Sequence, residues 1–71
     1  MNLLEVTKQM KYLKAAMIIK EVDLTQLSFI TQIPERTLRS YLSGQAKPPV
    51  DKLCKIADVL EVTTDYLLGR E

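Results

Sequence analysis

The sequence contains no histidine and no tryptophan, and its one cysteine is Cys54. Without histidine, the chain lacks the commonest general base and the commonest metal ligand. A single cysteine excludes an internal disulfide and a cysteine-based zinc cluster. The sequence also shows no glycine-rich phosphate loop and no paired-carboxylate pocket. We therefore expect a protein that is not an enzyme and that binds no metal, cofactor or small-molecule ligand.

Long apolar runs are also missing, since none approaches the roughly 20 residues that span a bilayer. The first five residues lack the basic and apolar segments of a signal peptide. Among the 71 residues, 46% are apolar, which is enough for one small core near the lower limit of independent stability. We expect a single cytoplasmic domain over residues 1–71, with an N-terminal extension (1–6), a C-terminal tail (69–71) and no membrane contact.

No charge of either sign dominates, because ten basic and nine acidic residues give a net charge of +1. The charges are nevertheless unevenly distributed: residues 1–20 carry +3, residues 21–50 are neutral and residues 51–71 carry −2. Such a gradient is compatible with one face of the protein meeting a polyanion. It is equally compatible with an ordinary solvated surface.

Apolar residues recur at helical spacing near the N-terminus, at Val6, Met10, Leu13 and Met17. This stripe predicts an amphipathic helix over about residues 7–20, with methionines filling its core side.

A second helix begins after Asp23, because Asp23 and Gln26 form a capping-box pattern. It must end by about Thr31, since Pro34 disfavours the helical conformation at the residue before it. Pairs with the spacing of a hydrophobic staple mark this helix start and two later ones: Val22 with Leu27, Ile33 with Leu38, and Val62 with Leu67.

Breaker residues delimit the remaining helices. The third helix is predicted over about residues 35–43, with Gly44 as its terminator. Pro49 suits the first turn of a fourth helix, whose buried stripe consists of Leu53, Ile56, Ala57 and Leu60. Thr63 caps a short fifth helix that carries the expected core residues Tyr66, Leu67 and Leu68 and is closed by Gly69. No segment alternates with period two, so the fold class is all-α, a compact five-helix bundle.

Residues 22–44 carry the functional signal, because two short helices separated by three or four residues pack at a steep angle. This is the helix-turn-helix arrangement, whose second helix enters the major groove of DNA. The inward side of the third helix holds Leu38, Tyr41 and Leu42, and the opposite side is polar.

The polar side of the third helix has the chemistry of base recognition, since arginine pairs with guanine, glutamate accepts from cytosine and serine does either. The predicted base contacts are Glu35, Arg36, Arg39 and Ser40, and the predicted phosphate contacts are Thr25, Thr37, Ser43 and Lys47. Alternatively, this side is a plain solvated face, in which Glu35 and Arg39 form an ordinary i,i+4 pair worth about 0.2–0.5 kcal/mol.

Several segments in register resemble the lambda-repressor/Cro-like (XRE-type) helix-turn-helix family: Ile33–Gly44, Lys47–Pro48, Leu53–Val62 and Asp65–Gly69. The resemblance covers residues 13–69. It implies a five-helix domain that regulates transcription by binding double-stranded DNA, typically as a homodimer on an inverted repeat. It also implies a repressor of the phage or mobile-element type. Gln32 stands where the family usually has glycine, and Asp23–Leu24 stands where the family commonly presents Ser or Asn and then Gln to the DNA backbone.

A second hypothesis is a protein-interaction module on the same fold, of the antitoxin or anti-repressor type. The near-neutral charge, Asp23–Leu24 and Phe29 favour it. Phe29 lies opposite the inward side of the second helix, where it is either covered by Leu3 and Leu4 or exposed as a partner contact. Cys54 is expected to be a small buried hydrophobe rather than a reactive thiol.

Overall fold

The computed structural model describes residues 10–70 of the chain. This range contains five helices and no strand: α1 (Lys11–Ile19), α2 (Leu24–Thr31), α3 (Glu35–Ser43), α4 (Val50–Leu60) and α5 (Thr64–Leu67). The prediction of an all-α fold with a helix-turn-helix at the second and third helices is confirmed. The predicted start of the first helix near residue 7 and the proposed cover of Phe29 by Leu3 and Leu4 lie outside the described residues.

The helix starts depend on the side chains that the sequence marks. Asp23 Oδ1 accepts a hydrogen bond from the Gln26 N–H at 2.8 Å, and Gln26 Oε1 accepts one from the Asp23 N–H at 2.9 Å. The Thr63 hydroxyl accepts from the Tyr66 N–H at 3.0 Å. The sequence predicts Pro49 in the first turn of α4. Its backbone is extended, so it is the N-cap instead, one position before that turn.

The core is assembled from all five helices and from the turn between α2 and α3. Its buried members are Leu13, Ala16, Met17, Leu27, Ile33, Leu38, Tyr41, Leu53, Ile56, Ala57, Leu60 and Leu67. Helix α2 packs against α3 and α4, and α5 packs against α1 and α4. Full burial of one such side chain contributes about 1.5–3 kcal/mol. This core therefore fixes the position of α3 on the rest of the domain.

Hydrogen bonds hold the turn between α2 and α3 in addition to the burial of Ile33. The Ser28 hydroxyl donates to the Ile33 carbonyl at 2.6 Å. The buried Thr31 hydroxyl donates to the Leu27 carbonyl at 2.7 Å and accepts from the Ile33 N–H at 3.3 Å. Because both polar groups of Ile33 are paired, its side chain can be buried without leaving its backbone unsatisfied.

Two expectations about burial are wrong. Cys54 is exposed, because it follows the buried Leu53 by one residue and so lies about 100° further round α4. Leu68 is 46% exposed and lies just beyond the end of α5. In contrast, Leu67 is buried and Tyr66 packs against the core, as predicted.

Three helices are followed, within two residues of their last turn, by a non-glycine residue in the left-handed region. Gln32 has φ 61°, Glu21 has φ 55° and Glu61 has φ 57°. Of the three, only Gln32 stands where the resembling family usually has glycine, and the two glutamates carry no comparable signal in the sequence. Each such residue costs roughly 1–2 kcal/mol of backbone strain that glycine would avoid.

Replacing Gln32 with glycine is expected to raise the midpoint of thermal unfolding by about 2–8 °C, because the relieved strain exceeds by about 0.5–1 kcal/mol the extra chain entropy that glycine loses on folding. The exposed Gln32 side chain is absent from the core, so the change removes strain without removing core packing. Thermal unfolding followed by circular dichroism measures the shift. Gln45→Gly is the matched control, because Gln45 does not have a positive φ. A lowered midpoint for Gln32→Gly would contradict the strain argument.

Candidate nucleic-acid interface

Helix α3 is attached to the domain by one side only. Leu38 and Tyr41 are 0% and 4% exposed, and Leu42 is partly buried beside them. On the other side, Arg36 and Arg39 are exposed. A helix held in this way presents its arginines to solvent while its apolar stripe fixes its orientation.

A residue with special backbone conformations lies at each end of α3. A proline, whose φ is restricted, lies before the first turn, and a glycine, which tolerates positive φ, lies after the last turn. Pro34 precedes the first turn, and its carbonyl accepts from the Leu38 N–H at 3.0 Å. Gly44 ends the helix in the left-handed region with φ 85°, a conformation that glycine adopts without strain. The chain then turns back, since the Ala46 N–H donates to the Ser40 carbonyl at 3.2 Å. The exposed Lys47 consequently follows closely on the C-terminal end of α3.

The carboxylate of Glu35 joins α3 to α2. Its Oε1 lies 3.4 Å from Arg39 Nη2, one helical turn further along α3. Its Oε2 accepts a hydrogen bond from the Thr25 hydroxyl of α2 at 3.3 Å. Both carboxylate oxygens therefore have a partner before any ligand is bound.

The two arginines of α3 differ in their surroundings. Arg39 is paired with Glu35, and its side chain is 67% exposed. Among residues 10–70, no hydrogen-bond or ion-pair partner is found for the guanidinium of Arg36. All five N–H donors of Arg36 thus remain available to a ligand.

The serines of α3 lie close to its backbone. The Ser40 hydroxyl donates to the Arg36 carbonyl at 3.2 Å, and the Ser43 hydroxyl donates to the Ser40 carbonyl at 3.2 Å. Ser43 Oγ also accepts from the Gln45 N–H at 3.4 Å. Because a hydroxyl oxygen has two lone pairs, Ser40 keeps accepting capacity toward a base or phosphate donor.

Hydrogen bonds join six of the eight predicted site residues in two sets of three. One set is formed by Thr25, Glu35 and Arg39, and the other by Arg36, Ser40 and Ser43. Thr37 is partly buried on the flank of α3 next to Leu38, and Lys47 lies in the loop beyond Ser43. Sequence reasoning missed the link between Thr25 and Glu35, because ten residues and a turn separate the two side chains.

Residues 10–70 contain no group of acidic and cysteine side chains suited to hold a metal ion. No helix within this range has the length and apolar character needed to cross a membrane.

The comparison with protein families matches residues 13–67 to the helix-turn-helix family. This match covers most of the chain and includes α2, the turn and α3, so the chain belongs to the lambda-repressor-like (XRE-type) helix-turn-helix family. The family is one of DNA-binding regulatory domains, not of enzymes. Comparison with curated proteins gave no match, and comparison with solved structures gave none.

Proposed function

We propose that this protein is a sequence-specific transcriptional repressor of the phage or mobile-element type, which acts in the cytoplasm by inserting α3 into the major groove of duplex DNA. The observation that supports it most is the two-sided character of α3. Leu38 and Tyr41 are buried, while Arg36 and Arg39 project from the opposite side of the same helix. In a helix-turn-helix domain, the exposed side of the second helix is the one that reads base edges.

Each site residue has a proposed role that follows from its chemistry. Arg36 and Arg39 read guanine through bidentate hydrogen bonds, and Glu35 and Ser40 add discrimination at neighbouring bases. The proposed phosphate contacts, which fix register without reading sequence, are Thr37, Ser43 and Lys47. Thr25, which the sequence predicts as a fourth, instead donates its hydroxyl to Glu35.

A homodimer on an inverted repeat is proposed because one copy is small. The domain measures 34 × 26 × 22 Å, and successive major grooves on one face of DNA are about 34 Å apart. One copy therefore places its single α3 in one groove, and a two-site operator needs two copies. Occupancy of such an operator excludes polymerase from an overlapping promoter.

Selection from random duplex DNA tests this function directly. We expect an enriched sequence with two-fold symmetry, whose half-sites lie about 10 base pairs apart from centre to centre. An asymmetric consensus would contradict the dimer, and the absence of any enriched sequence would contradict sequence-specific binding.

Replacing Lys47 with alanine is expected to weaken binding by a similar factor on every DNA sequence. A phosphate contact contributes through counterion release, so the slope of log K against log salt should become shallower by about 1 per subunit. Fluorescence anisotropy between about 50 and 200 mM salt measures the slope. Lys55→Ala on α4 is the matched control, because it removes the same charge from an exposed position of another helix. A loss confined to one DNA sequence would contradict the phosphate role of Lys47.

The second candidate function is a protein-interaction module of the antitoxin or anti-repressor type. It is favoured by one observation, since Phe29 and Ile30 on α2 are 85% and 57% exposed. Two large apolar side chains in sequence form a surface suited to a protein partner. Binding through them would be nearly indifferent to salt, whereas binding to DNA by lysine and arginine weakens steeply with salt.

A further inference from the structure

The contact between α2 and α3 has a consequence for the DNA sequence that the protein selects. Thr25 Oγ1 lies 3.3 Å from Glu35 Oε2, and Glu35 Oε1 lies 3.4 Å from Arg39 Nη2. Both distances lie just beyond the usual ranges, which end at about 3.0 Å for O–H···O and about 3.2 Å for N–H···O, so each contact is a weak one. The contacts place Thr25 and Arg39 beside the Glu35 carboxylate, and they leave the carboxylate able to accept, and the guanidinium able to donate, further hydrogen bonds.

We propose that Thr25, Glu35 and Arg39 act as one specificity-determining unit, in which Thr25 positions Glu35 while Glu35 and Arg39 together select a cytosine and a guanine. This inference rests on the proposed DNA-binding function. It changes the role of Thr25 from a phosphate contact to a positioning residue, because its hydroxyl donates to a carboxylate rather than to solvent.

The remaining hydrogen-bonding capacity of the unit matches these two bases. A carboxylate offers about four lone-pair sites, and two are directed at Thr25 and Arg39, so others can accept from the N4 amino group of cytosine. The guanidinium of Arg39 has five N–H donors, and one nitrogen faces Glu35. Its other donors can bind O6 and N7 of guanine.

The separation of the two charged groups limits which bases they can reach together. The 3.4 Å between Glu35 Oε1 and Arg39 Nη2 equals the rise between stacked bases, about 3.4 Å per strand. The two side chains therefore contact the same base pair or two neighbouring ones. The selected sequence contains a cytosine and a guanine at these positions.

The negative charge of Glu35 also excludes other bases. Guanine presents only acceptors in the major groove, and thymine presents an acceptor and a methyl group. A carboxylate held against either base would lose its hydration without gaining a donor. Adenine offers one donor beside the acceptor N7, which the carboxylate repels, so cytosine is the base that Glu35 favours.

Glu35→Gln tests the reading of cytosine, because glutamine pairs with N6 and N7 of adenine. In selection from random DNA, we expect one position per half-site to change from cytosine to adenine, with a shift in the C/A affinity ratio of about tenfold. The preferred base at the Arg36 position should stay the same. Asp58→Asn on α4 removes the same charge from an exposed site on another helix, and it should leave the consensus unaltered.

Two variants of Thr25 test its positioning role. Thr25→Val removes the hydroxyl and should reduce the preference for cytosine roughly two- to fivefold, the lower part of the effect of losing one hydrogen bond. Thr25→Ser keeps the hydroxyl and should retain the preference. Thermal unfolding of each variant shows whether it is folded at the temperature of the binding assay.

The outcomes separate this inference from the proposed function. Specific binding with an unchanged consensus in Glu35→Gln would overturn the unit and leave the proposed function intact. An equal loss on all DNA sequences in Thr25→Val would make Thr25 a phosphate contact and would also overturn the unit. Absence of duplex binding by the unaltered protein would overturn the proposed function, and the unit with it.

Discussion

Replacing Leu38 with alanine is expected to lower the free energy of unfolding by about 3 kcal/mol and the midpoint of thermal unfolding by about 12–24 °C. Leu38 is 0% exposed, so its truncation removes buried apolar surface and leaves a cavity. Leucine-to-alanine changes at such sites cost roughly 2–5 kcal/mol. A domain of this length has a total stability of only about 4–11 kcal/mol. The substitution therefore removes a large share of the stability of the whole domain.

The position of Leu38 also connects this loss to function. Leu38 lies in the middle of α3, on the side opposite the arginines, and it is buried together with Ile33 of the turn. We expect Leu38→Ala to reduce DNA binding on every sequence to the same extent, because the unfolded fraction of the protein binds none.

Circular dichroism on heating and urea titration measure the change in stability. Leu68→Ala is the matched control, because it deletes the same atoms from a side chain that is 46% exposed. We expect this control to cost less than about 1 kcal/mol. Equal losses in the two variants would contradict the assignment of Leu38 to the core.

The order of the helices could be predicted because their ends depend on local chemistry. The capping box at Asp23 and Gln26 is formed by residues three apart, and both of its hydrogen bonds are present. Gly44 ends α3 in the left-handed conformation that its lack of a Cβ permits. Interactions of this kind involve neighbours along the chain, so the sequence displays them directly.

Other features depend on more than the local pattern. Glu21 and Glu61 adopt positive φ, although nothing in their side chains favours it. Each lies at a helix end where the next N–H reaches back to an earlier carbonyl: Val22 to Met17 at 2.9 Å, and Val62 to Ala57 at 3.0 Å. Cys54 is exposed although its residue type is often buried, because its position one residue after Leu53 turns it to solvent.

The candidate site also has one part that the local sequence pattern predicts and another that depends on the packing of the helices. The periodicity of an α-helix is enough to place Arg36 and Arg39 opposite Leu38. It does not tell which arginine has a partner, because the orientation of Glu35 depends on Thr25 of the neighbouring helix. The contact joins two helices across a turn, and its geometry follows from how the core packs them.

Replacing Arg36 with alanine is expected to weaken binding to the preferred DNA sequence by about 5- to 150-fold, which corresponds to about 1–3 kcal/mol, and to relax the preference at one base position. The exposed guanidinium of Arg36 has no partner among residues 10–70, so its donors are free for the bidentate pairing with guanine. Because the Arg36 side chain makes no hydrogen bond within residues 10–70, its removal breaks none there. The stability of the domain should therefore stay nearly unchanged.

The measurement compares Arg36→Ala with the unaltered protein on a set of duplexes that vary one base pair at a time. Arg70→Ala is the matched control, because it deletes the same guanidinium beyond α5, which packs against α1 and α4. We expect Arg70→Ala to change affinity by less than a factor of two to three, as most surface substitutions have effects within about 0.5 kcal/mol. If Arg36→Ala weakened all duplexes equally, Arg36 would be a phosphate contact, and the reading of guanine would fall to Arg39 alone.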